Sequence, residues 1–357
     1  MTRFLGNGIF TQDGESWSHS RALIRPSFTR AQIADFQVLG SYFEEFLETI
    51  HSVQDANGYL DIQGLFSDLS MDFACEYLFG ETASSLRQRR EGRSSVGMAH
   101  WFDRGFEHST LAWGLGSLHF LWRPREFLQA CDFVHNYVDE FVERAIDRHA
   151  RGEKRKDGKK YVFLDVLTEV TQDRDVLRGQ VMSVMLASRD TTSTLLSWIV
   201  WNFARHPDVF AKLLQEVDST LGVKDAAREP DWQQLKDMKY LQAVLSETLR
   251  MFPSVSYSNR YAVKNTVLPT GGGEDAKSPI FVQDGTLIMY SLYSMHRRED
   301  IYGEDAGVYR PDRWLEGGIG KKMREVGWGY LPFSGGPRIC PGRECLLVSQ
   351  SCREEQR

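Results

Sequence analysis

The sequence predicts a mainly α-helical fold with a small β portion in its C-terminal third. Apolar residues recur at helical spacing in several segments of the first half, a pattern typical of amphipathic helices. One stretch, 179–208, is apolar almost all round, as expected for a helix buried through the centre of a domain. Strand-like runs follow only after Pro253.

Two amphipathic helices are predicted near the N-terminus. The segment SYFEEFLETIHSV (41–53) spaces four apolar side chains at i, i+3, i+4 and i+7. These are Phe43, Phe46, Leu47 and Ile50. The segment DLSMDFACEYLFG (68–80) predicts a second helix, which Gly80 closes at a C-terminal cap position. The polar stretches 81–97 and 151–160 are interpreted as solvated connectors rather than nucleic-acid patches, because the chain as a whole is acidic.

Two later segments are long and apolar, and each allows a structural and a functional interpretation. The aromatic-rich stretch 100–146 could form core or line an apolar binding cavity, and its spacing favours neither. The long central helix carries Arg189, Asp190, Thr191 and Thr192 at its middle. A charge buried there costs several kcal/mol unless it is paired or used. Asp190 could pair with a core arginine, but the two adjacent hydroxyls favour a functional role.

The C-terminal third begins with a helix in DMKYLQAVLSETLRMFP (237–253), which Pro253 ends. Glu247 and Arg250 are i and i+3 on this helix, close enough to meet. Upstream, Pro207 suits the first position of the helix that follows the central one. Strands are predicted in 265–273 and 278–293, the latter with a hairpin signal at Asp284-Gly285.

Composition limits the class of protein. The chain has 357 residues, 41% hydrophobic and 26% charged, which suits one large or two smaller globular domains. A net charge of -6 gives no basic field for nucleic acid. Five cysteines without a CxxC pair indicate thiols in a reducing compartment. No signal pattern opens the sequence, and its most apolar runs are too short to span a bilayer.

The run PFSGGPRICPGRE (332–344) is too rich in glycine and proline for a helix or a regular strand. A thiolate from Cys340 would be a soft ligand for haem iron. Gly336 and Gly342 would let the backbone approach a flat macrocycle, Arg338 would bind a propionate, and Phe333 would shield the sulfur. Two alternatives are a buried structural thiol and a zinc site, the latter built from Cys340, Cys345 and Cys352.

Six motifs in this chain resemble those of the cytochrome P-450 family. FSGGPRICPG resembles the cysteine loop F-x-x-G-x-R-x-C-x-G, and ASRDTT resembles the oxygen-activating motif of the central helix. ETLR, with Glu247 and Arg250, resembles the E-x-x-R motif, and YRPDRW supplies Arg313 as third member of that buried ion network. WSHSR, with Trp17 and Arg21, and SNRYAVKNT, with Arg260, resemble propionate-binding segments. Other stretches resemble the fungal branch that hydroxylates n-alkanes and fatty acids.

The resemblance implies a single domain over 1–357 with the cytochrome P-450 fold, incomplete at both termini. It implies haem b as cofactor, Cys340 as the axial iron ligand, and an NADPH–cytochrome P-450 reductase as electron donor. Thr191 would hydrogen-bond the O2 substrate and Asp190 would relay protons from solvent. The implied substrate is a long, apolar small molecule, the partners include no nucleic acid, and the implied location is the cytosolic face of the endoplasmic reticulum membrane.

The sequence departs from the family pattern at three places. Ser188 stands where glycine is usual, the membrane anchor and first strands would precede Met1, and only seventeen residues follow Cys340. These departures leave a second hypothesis, a non-catalytic remnant that binds haem weakly or not at all. A third, isomerisation or dehydration without external electrons, is disfavoured by the Asp190-Thr191 pair.

Ser188→Gly is expected to lower the peroxide released per NADPH consumed. The resemblance implies that glycine at this position leaves a groove for dioxygen and water, which the serine side chain would crowd, so that NADPH use is less well coupled to product. The alternative is that the serine hydroxyl bonds back along the helix. The measurement is peroxide yield per NADPH in a reconstituted system with reductase. An unchanged peroxide yield in the variant would contradict the prediction.

Overall fold

The computed structural model describes residues 1–28, 36–55, 57–122, 124–153, 161–222, 231–318, 325 and 327–343. Most of these residues are helical, so the predicted mainly α fold is confirmed. They divide into two compact units. The first comprises the described residues within 1–201, 214–238 and 341–343, and the second comprises those within 202–213 and 239–340.

The helices of the described residues are numbered here in chain order. The first eight are α1 (Thr2–Leu5), α2 (Gly14–Ile24), α3 (Phe36–Ser52), α4 (Ile62–Phe79), α5 (Ser85–Arg90), α6 (Met98–Gly114), α7 (Arg125–Ala150) and α8 (Phe163–Thr168). The others are α9 (Arg174–Arg205), α10 (Pro207–Leu221), α11 (Trp232–Asp237), α12 (Lys239–Met251), α13 (Leu292–Met295) and α14 (Glu299–Tyr302). Short 3-10 turns lie at Arg25–Phe28, Ser94–Val96, Gly116–Leu121, Pro311–Trp314 and Gly336–Arg338.

The ends of α4 show how sequence signals place a helix. The side chain of Asp61 accepts a hydrogen bond from the Gly64 backbone N–H and caps the N-terminus. At the other end Gly80 takes the left-handed conformation, with φ at 74°, and its N–H donates to the Glu76 carbonyl. The predicted glycine cap is therefore confirmed.

The core of the first unit is aromatic. Phe79 stacks on Phe141 with ring centroids 4.2 Å apart, and Phe4 meets Phe102 edge to face at 5.3 Å. Such pairs add to the free energy gained from burial alone. Phe102 and Phe141 belong to the aromatic stretch 100–146, so part of that stretch is core. Its middle section is different, because Trp113, Phe120 and their apolar neighbours are largely exposed.

The prediction that 81–97 is a structureless connector is wrong. The stretch contains α5, because the buried carboxylate of Asp72 on α4 accepts hydrogen bonds from the Ser85 and Leu86 N–H groups at 2.7 and 3.0 Å. Burial raises the pKa of Asp72 to about 6, although the two hydrogen bonds stabilise the ionised form and oppose this shift. A carboxylate from another helix thus caps α5, which local sequence does not show. Residues 154–160 of the other predicted connector lie outside the described residues.

The predicted hairpin through Asp284-Gly285 is also wrong. β3 (Ser278–Val282) pairs with β2 (Thr266–Gly272), and β4 (Leu287–Ser291) pairs with β1 (Tyr257–Tyr261), both antiparallel. The turn itself forms, with Gly285 at φ 79°. The Gly285 N–H donates to the Ala262 carbonyl, just after the end of β1. The turn therefore connects β3 of one two-stranded sheet to β4 of the other. Turn chemistry predicted the bend but not the strand partners.

The long central helix is confirmed as α9, which spans 32 residues. Its first half is buried, and Pro207 begins α10 as predicted. Among the residues that the structure describes, none of the helices combines the length and hydropathy needed to cross a bilayer.

Gly179→Ala is expected to reduce the free energy of unfolding by about 1–3 kcal/mol, the usual cost of overpacking. A Cβ on Gly179 would lie 2.3 Å from the carbonyl oxygen of Asn7, a backbone atom that must move to make room. Denaturant unfolding of the purified chain measures the difference.

The control for this prediction is Gly114→Ala at the end of α6. A Cβ there meets nothing within 4 Å, and alanine favours helix over glycine. We expect this variant to be neutral or slightly stabilised. Equal destabilisation of both variants would show that close packing of the Asn7 loop on α9 does not matter.

Candidate functional site

The loop from Phe333 to Cys340 closes on itself through its backbone. The Cys340 N–H donates to the Phe333 carbonyl at 2.9 Å, and the Ile339 N–H donates to the Gly336 carbonyl at 3.0 Å. Between these bonds lies the 3-10 turn Gly336–Arg338. The loop therefore has a defined shape that presents the half-buried thiol of Cys340 at its end.

Gly336 provides the clearest test of whether this loop suits a flat macrocycle. Its φ is 66°, in the left-handed region that favours glycine, and a Cβ built on it would have no atom within 4 Å. Gly336 is exposed, and among the described residues the space beside its backbone is open, which is compatible with a planar ligand lying along the loop. Ser334 has φ 61° and is a second left-handed residue in the same loop.

The segment that leads into the loop is fastened by three side chains. Tyr302 donates from its hydroxyl to the Gly329 carbonyl at 3.0 Å, and Tyr330 donates to the Ser246 carbonyl at 3.1 Å. The Leu331 N–H donates to Nε2 of His296 at 2.9 Å. Burial, reinforced by the nearby charge of Arg250, lowers the pKa of His296 to about 4, so the imidazole is neutral at pH 7 and can accept this bond.

Glu247 forms the centre of a buried ion network in the second unit. Its Oε1 accepts from Arg250 Nη2, Arg313 Nε and the Arg310 backbone N–H at 2.8, 2.9 and 2.8 Å. Its Oε2 accepts from Arg250 Nε and Trp314 Nε1 at 2.8 and 2.9 Å. Glu247 and Arg250 are fully buried and Arg313 is 2% exposed. The predicted three-member network is confirmed, and the structure adds Trp314 and the Arg310 backbone.

The two arginines extend this network to backbone carbonyls. Arg250 Nη1 donates to the carbonyls of His296 and Ala306 at 2.8 and 2.7 Å. Arg313 donates to the carbonyls of Tyr302, Asp305 and Val308, all between 3.0 and 3.1 Å. Because the guanidinium groups bind backbone carbonyls on both sides of α14, the network fixes the segment that carries His296 and Tyr302.

In the first unit, the predicted catalytic residues lie on α9. The Thr191 hydroxyl donates to the Ala187 carbonyl at 2.6 Å. Asp190 is 2.9 Å from Nη1 of the buried Arg189, so the core-arginine pairing that the sequence left open does occur. Burial raises the pKa of Asp190 even though Arg189 opposes the shift. The Ser188 hydroxyl donates to the Val184 carbonyl at 2.9 Å and so bonds back along the helix.

The other predicted cofactor-binding residues lie on separate elements. Trp17 and Arg21 are one turn apart on α2, with the guanidinium 5.7 Å from the ring centroid. Arg260 is exposed on β1, where Nη1 donates to the Asn259 carbonyl at 2.6 Å. Arg338 is half-buried in the cysteine loop and Gly342 follows in a turn. The structure thus brings Phe333, Gly336, Arg338 and Cys340 together in one loop.

The donors in this loop suit haem iron, which needs a single protein thiolate because the macrocycle supplies the other ligands in its plane. Within the described ranges there is no group of three or more His, Cys, Asp or Glu side chains that could hold a metal ion. The alternative zinc site needs Cys345 and Cys352, which lie outside the described residues.

Sequence reasoning missed Arg189 and His296 as parts of the site. The signal for Arg189 was its position beside Asp190 within an apolar helix, where a charge needs a partner. No sequence signal pointed to His296. Its ring nitrogen accepts a hydrogen bond from the Leu331 N–H, which lies thirty-five residues further along the chain.

Comparison with known proteins gives consistent matches. The family model described as Cytochrome P450 matches residues 1–345. A cytochrome P450 of Arthroderma benhamiae is 41% identical over 97% of this chain and 68% of its own length. Cytochrome P450 52A1 of Candida tropicalis is 38% identical over 97% of this chain and 64% of its length, and cytochrome P450 52A5 of Candida maltosa is 40% identical over 97% and 66%.

The chain therefore spans about two thirds of the length of these relatives. Among solved structures, the cytochrome P450DA heme domain matches with a TM-score of 0.71 over 97% of this chain and 72% of that chain. The two sequences are 20% identical, so this likeness concerns the fold alone.

Glu247→Ala is expected to reduce the free energy of unfolding by about 3–5 kcal/mol, because it leaves two buried guanidinium groups without their shared carboxylate. Urea unfolding of the purified chain, followed by circular dichroism, measures the loss.

The matched control is Asp312→Asn, beside Arg313 in the same 3-10 turn. Asp312 pairs with Lys212 at 2.9 Å, but both side chains are more than a third exposed. Such a pair contributes about 0–1 kcal/mol. If Glu247→Ala costs no more than this control, the network does not hold the second unit together.

Proposed function

The chain belongs to the cytochrome P450 family, and we propose that it acts as a haem-thiolate monooxygenase that hydroxylates a long apolar molecule, an n-alkane or a fatty acid. The observation that carries the proposal is the closed loop at Cys340, which presents one half-buried thiol beside the open backbone of Gly336. The choice of substrate rests on resemblance to the fungal branch of the family.

We propose haem b as the cofactor. Cys340 would bind its iron as a thiolate, and Phe333 would shield the sulfur from water. Arg338, with Arg21 and Arg260 on their own elements, would bind the propionates through planar guanidinium groups, and Trp17 would support Arg21. The family model spans both compact units, which supports the proposal of one domain over 1–357.

The chain's own contribution to the reaction is proton handling on α9. When bound, the haem supplies the activation of O2. The Asp190 carboxylate would take up a proton from solvent, since its side chain keeps 31% exposure and burial raises its pKa. The Thr191 hydroxyl donates to the Ala187 carbonyl, and by rotating away from it this hydroxyl would hydrogen-bond the O2 substrate. Glu247, Arg250 and Arg313 hold backbone and transfer no proton.

The electrons are proposed to come from an NADPH–cytochrome P-450 reductase at the cytosolic face of the endoplasmic reticulum. This partner and this location rest on the resemblance and on the fungal relatives at 38–41% identity.

Expression of the chain with haem supply tests the proposal directly. We expect near-stoichiometric haem uptake and a strongly red-shifted band in the carbon-monoxide spectrum of the reduced protein. Cys340→Ser is expected to lose this band, whereas Cys131→Ala, which removes a buried thiol of the first unit, is expected to keep it.

Two outcomes would overturn the proposal. Absence of haem uptake by the unaltered chain would favour the non-catalytic remnant. An identical spectrum from Cys340→Ser would show that this sulfur is not the ligand. Hydroxylated product from dodecane or lauric acid in the presence of reductase tests the substrate class separately.

A further inference from the structure

We infer that Asp103 is a positioning residue for Asp190, and that it acts through the buried guanidinium of Arg189, which both carboxylates share. This inference rests on the proton-carrying role proposed above for Asp190. All three residues lie in the first unit, Asp103 on α6 and the other two on α9.

The contacts of Arg189 are unequal. It donates through Nη1 to Asp103 Oδ1 at 2.5 Å and through Nη2 to Asp103 Oδ2 at 2.9 Å, a bidentate pair. The same Nη1 also donates to Asp190 Oδ1 at 2.9 Å. Asp190 therefore accepts one hydrogen bond from Arg189, through a nitrogen that also donates to Asp103, whereas Asp103 accepts two.

The shared guanidinium lies away from solvent. Arg189 is 2% exposed and its guanidinium lies 5.8 Å from the ring centroid of Phe102. The side chain of Asp103 is 57% exposed, and that of Asp190 is 31% exposed. Asp103, which makes two hydrogen bonds with Arg189, is thus the more exposed carboxylate, and Asp190 is the more buried one.

A second ion pair completes the charged cluster. Asp68 on α4 pairs with Arg89 on α5, and Asp68 also interacts electrostatically with Arg189 and Asp103. Three carboxylates therefore face two guanidinium groups, which leaves an excess of one negative charge. Burial raises the pKa of Asp190, the charge of Arg189 opposes the shift, and the charge of Asp103 adds to it.

The consequence is a carboxylate whose proton affinity depends on a residue of another helix. If Asp103 were neutral, Arg189 would pair with Asp190 alone, and the ionised form of Asp190 would be favoured. A firmly ionised carboxylate is a poor proton donor near neutral pH. Asp103 prevents this by occupying the arginine, and so keeps Asp190 able to load and release a proton.

The test follows the titration of Asp190 in the haem-loaded protein and in the protein as purified. Infrared difference spectra give the protonated carboxyl band, which is assigned by its loss in Asp190→Asn. We expect Asp103→Asn to lower the titration midpoint of Asp190 by about one pH unit, and Arg189→Met to raise it by about one unit or more. Asp103→Glu, which keeps the charge, is expected to restore the midpoint.

The matched control is Glu107→Gln, one turn further along α6. It also removes an acidic partner of an arginine, because Glu107 lies 2.6 Å from Arg104, but it does not contact Arg189. We expect no shift of the Asp190 midpoint in this variant. A parallel series measures peroxide released per NADPH as a function of pH, and the profile of Asp103→Asn is expected to move with the infrared midpoint.

The outcomes separate this inference from the proposed function. Normal haem binding and turnover, combined with an Asp190 midpoint that moves in neither Asp103→Asn nor Arg189→Met, would overturn the inference and leave the function in place. Shifts in the same direction in both variants would also overturn it, since a purely structural disturbance has no reason to depend on the sign of the charge removed. Opposite shifts in a protein without monooxygenase activity would support the electrostatic coupling and refute the proposed function.

Discussion

The second unit depends on one buried carboxylate that accepts hydrogen bonds from five donors. Glu247 pairs with two buried arginines, one of which also pairs with Asp305, and it binds an indole and a backbone N–H as well. A buried charge is tolerable only when its hydrogen bonds are complete, and here they are made by Arg250, Arg313, Trp314 and Arg310. The arginines then satisfy carbonyls at the end of α14 and in the loop that follows it. The cysteine loop follows from this segment, because His296 and Tyr302 hold the residues that precede it.

The first unit handles its buried charge differently. The middle of α9 carries Arg189 and Asp190, and Asp103 of α6 adds a second carboxylate to the same guanidinium. In the second unit the shared carboxylate of Glu247 is fully buried and the network holds backbone, although Arg313 also pairs with Asp305, which is 39% exposed. On α9 the carboxylate that binds the shared arginine through two hydrogen bonds is Asp103, which is 57% exposed. A network centred on a buried carboxylate suits a structural role. A partly exposed one, with an uncompensated negative charge, suits a group that must exchange protons.

The family assignment and the local geometry support each other at the cysteine loop. Family membership rests on a match over residues 1–345, which is independent of any single side chain. The loop geometry rests on two backbone hydrogen bonds and the left-handed Gly336, which any chain with this local sequence needs in order to turn. A single thiolate on a backbone-defined loop is enough for haem iron, because one protein ligand is all that the metal requires from this side.

By itself the sequence determined several helices, the glycine cap of α4, the turn of the cysteine loop and the Glu247–Arg250 pair, because these depend on periodicity, on turn residues and on motifs of short span. Arg313 was assigned to the buried network by family resemblance. Only the tertiary structure decided what lies opposite them. It paired β4 with β1 rather than β3, capped α5 with Asp72 from another helix, and placed Asp103 against Arg189. The physical reason is that strand partners, buried caps and shared ion pairs join residues distant in the chain, whereas sequence patterns report only on neighbours.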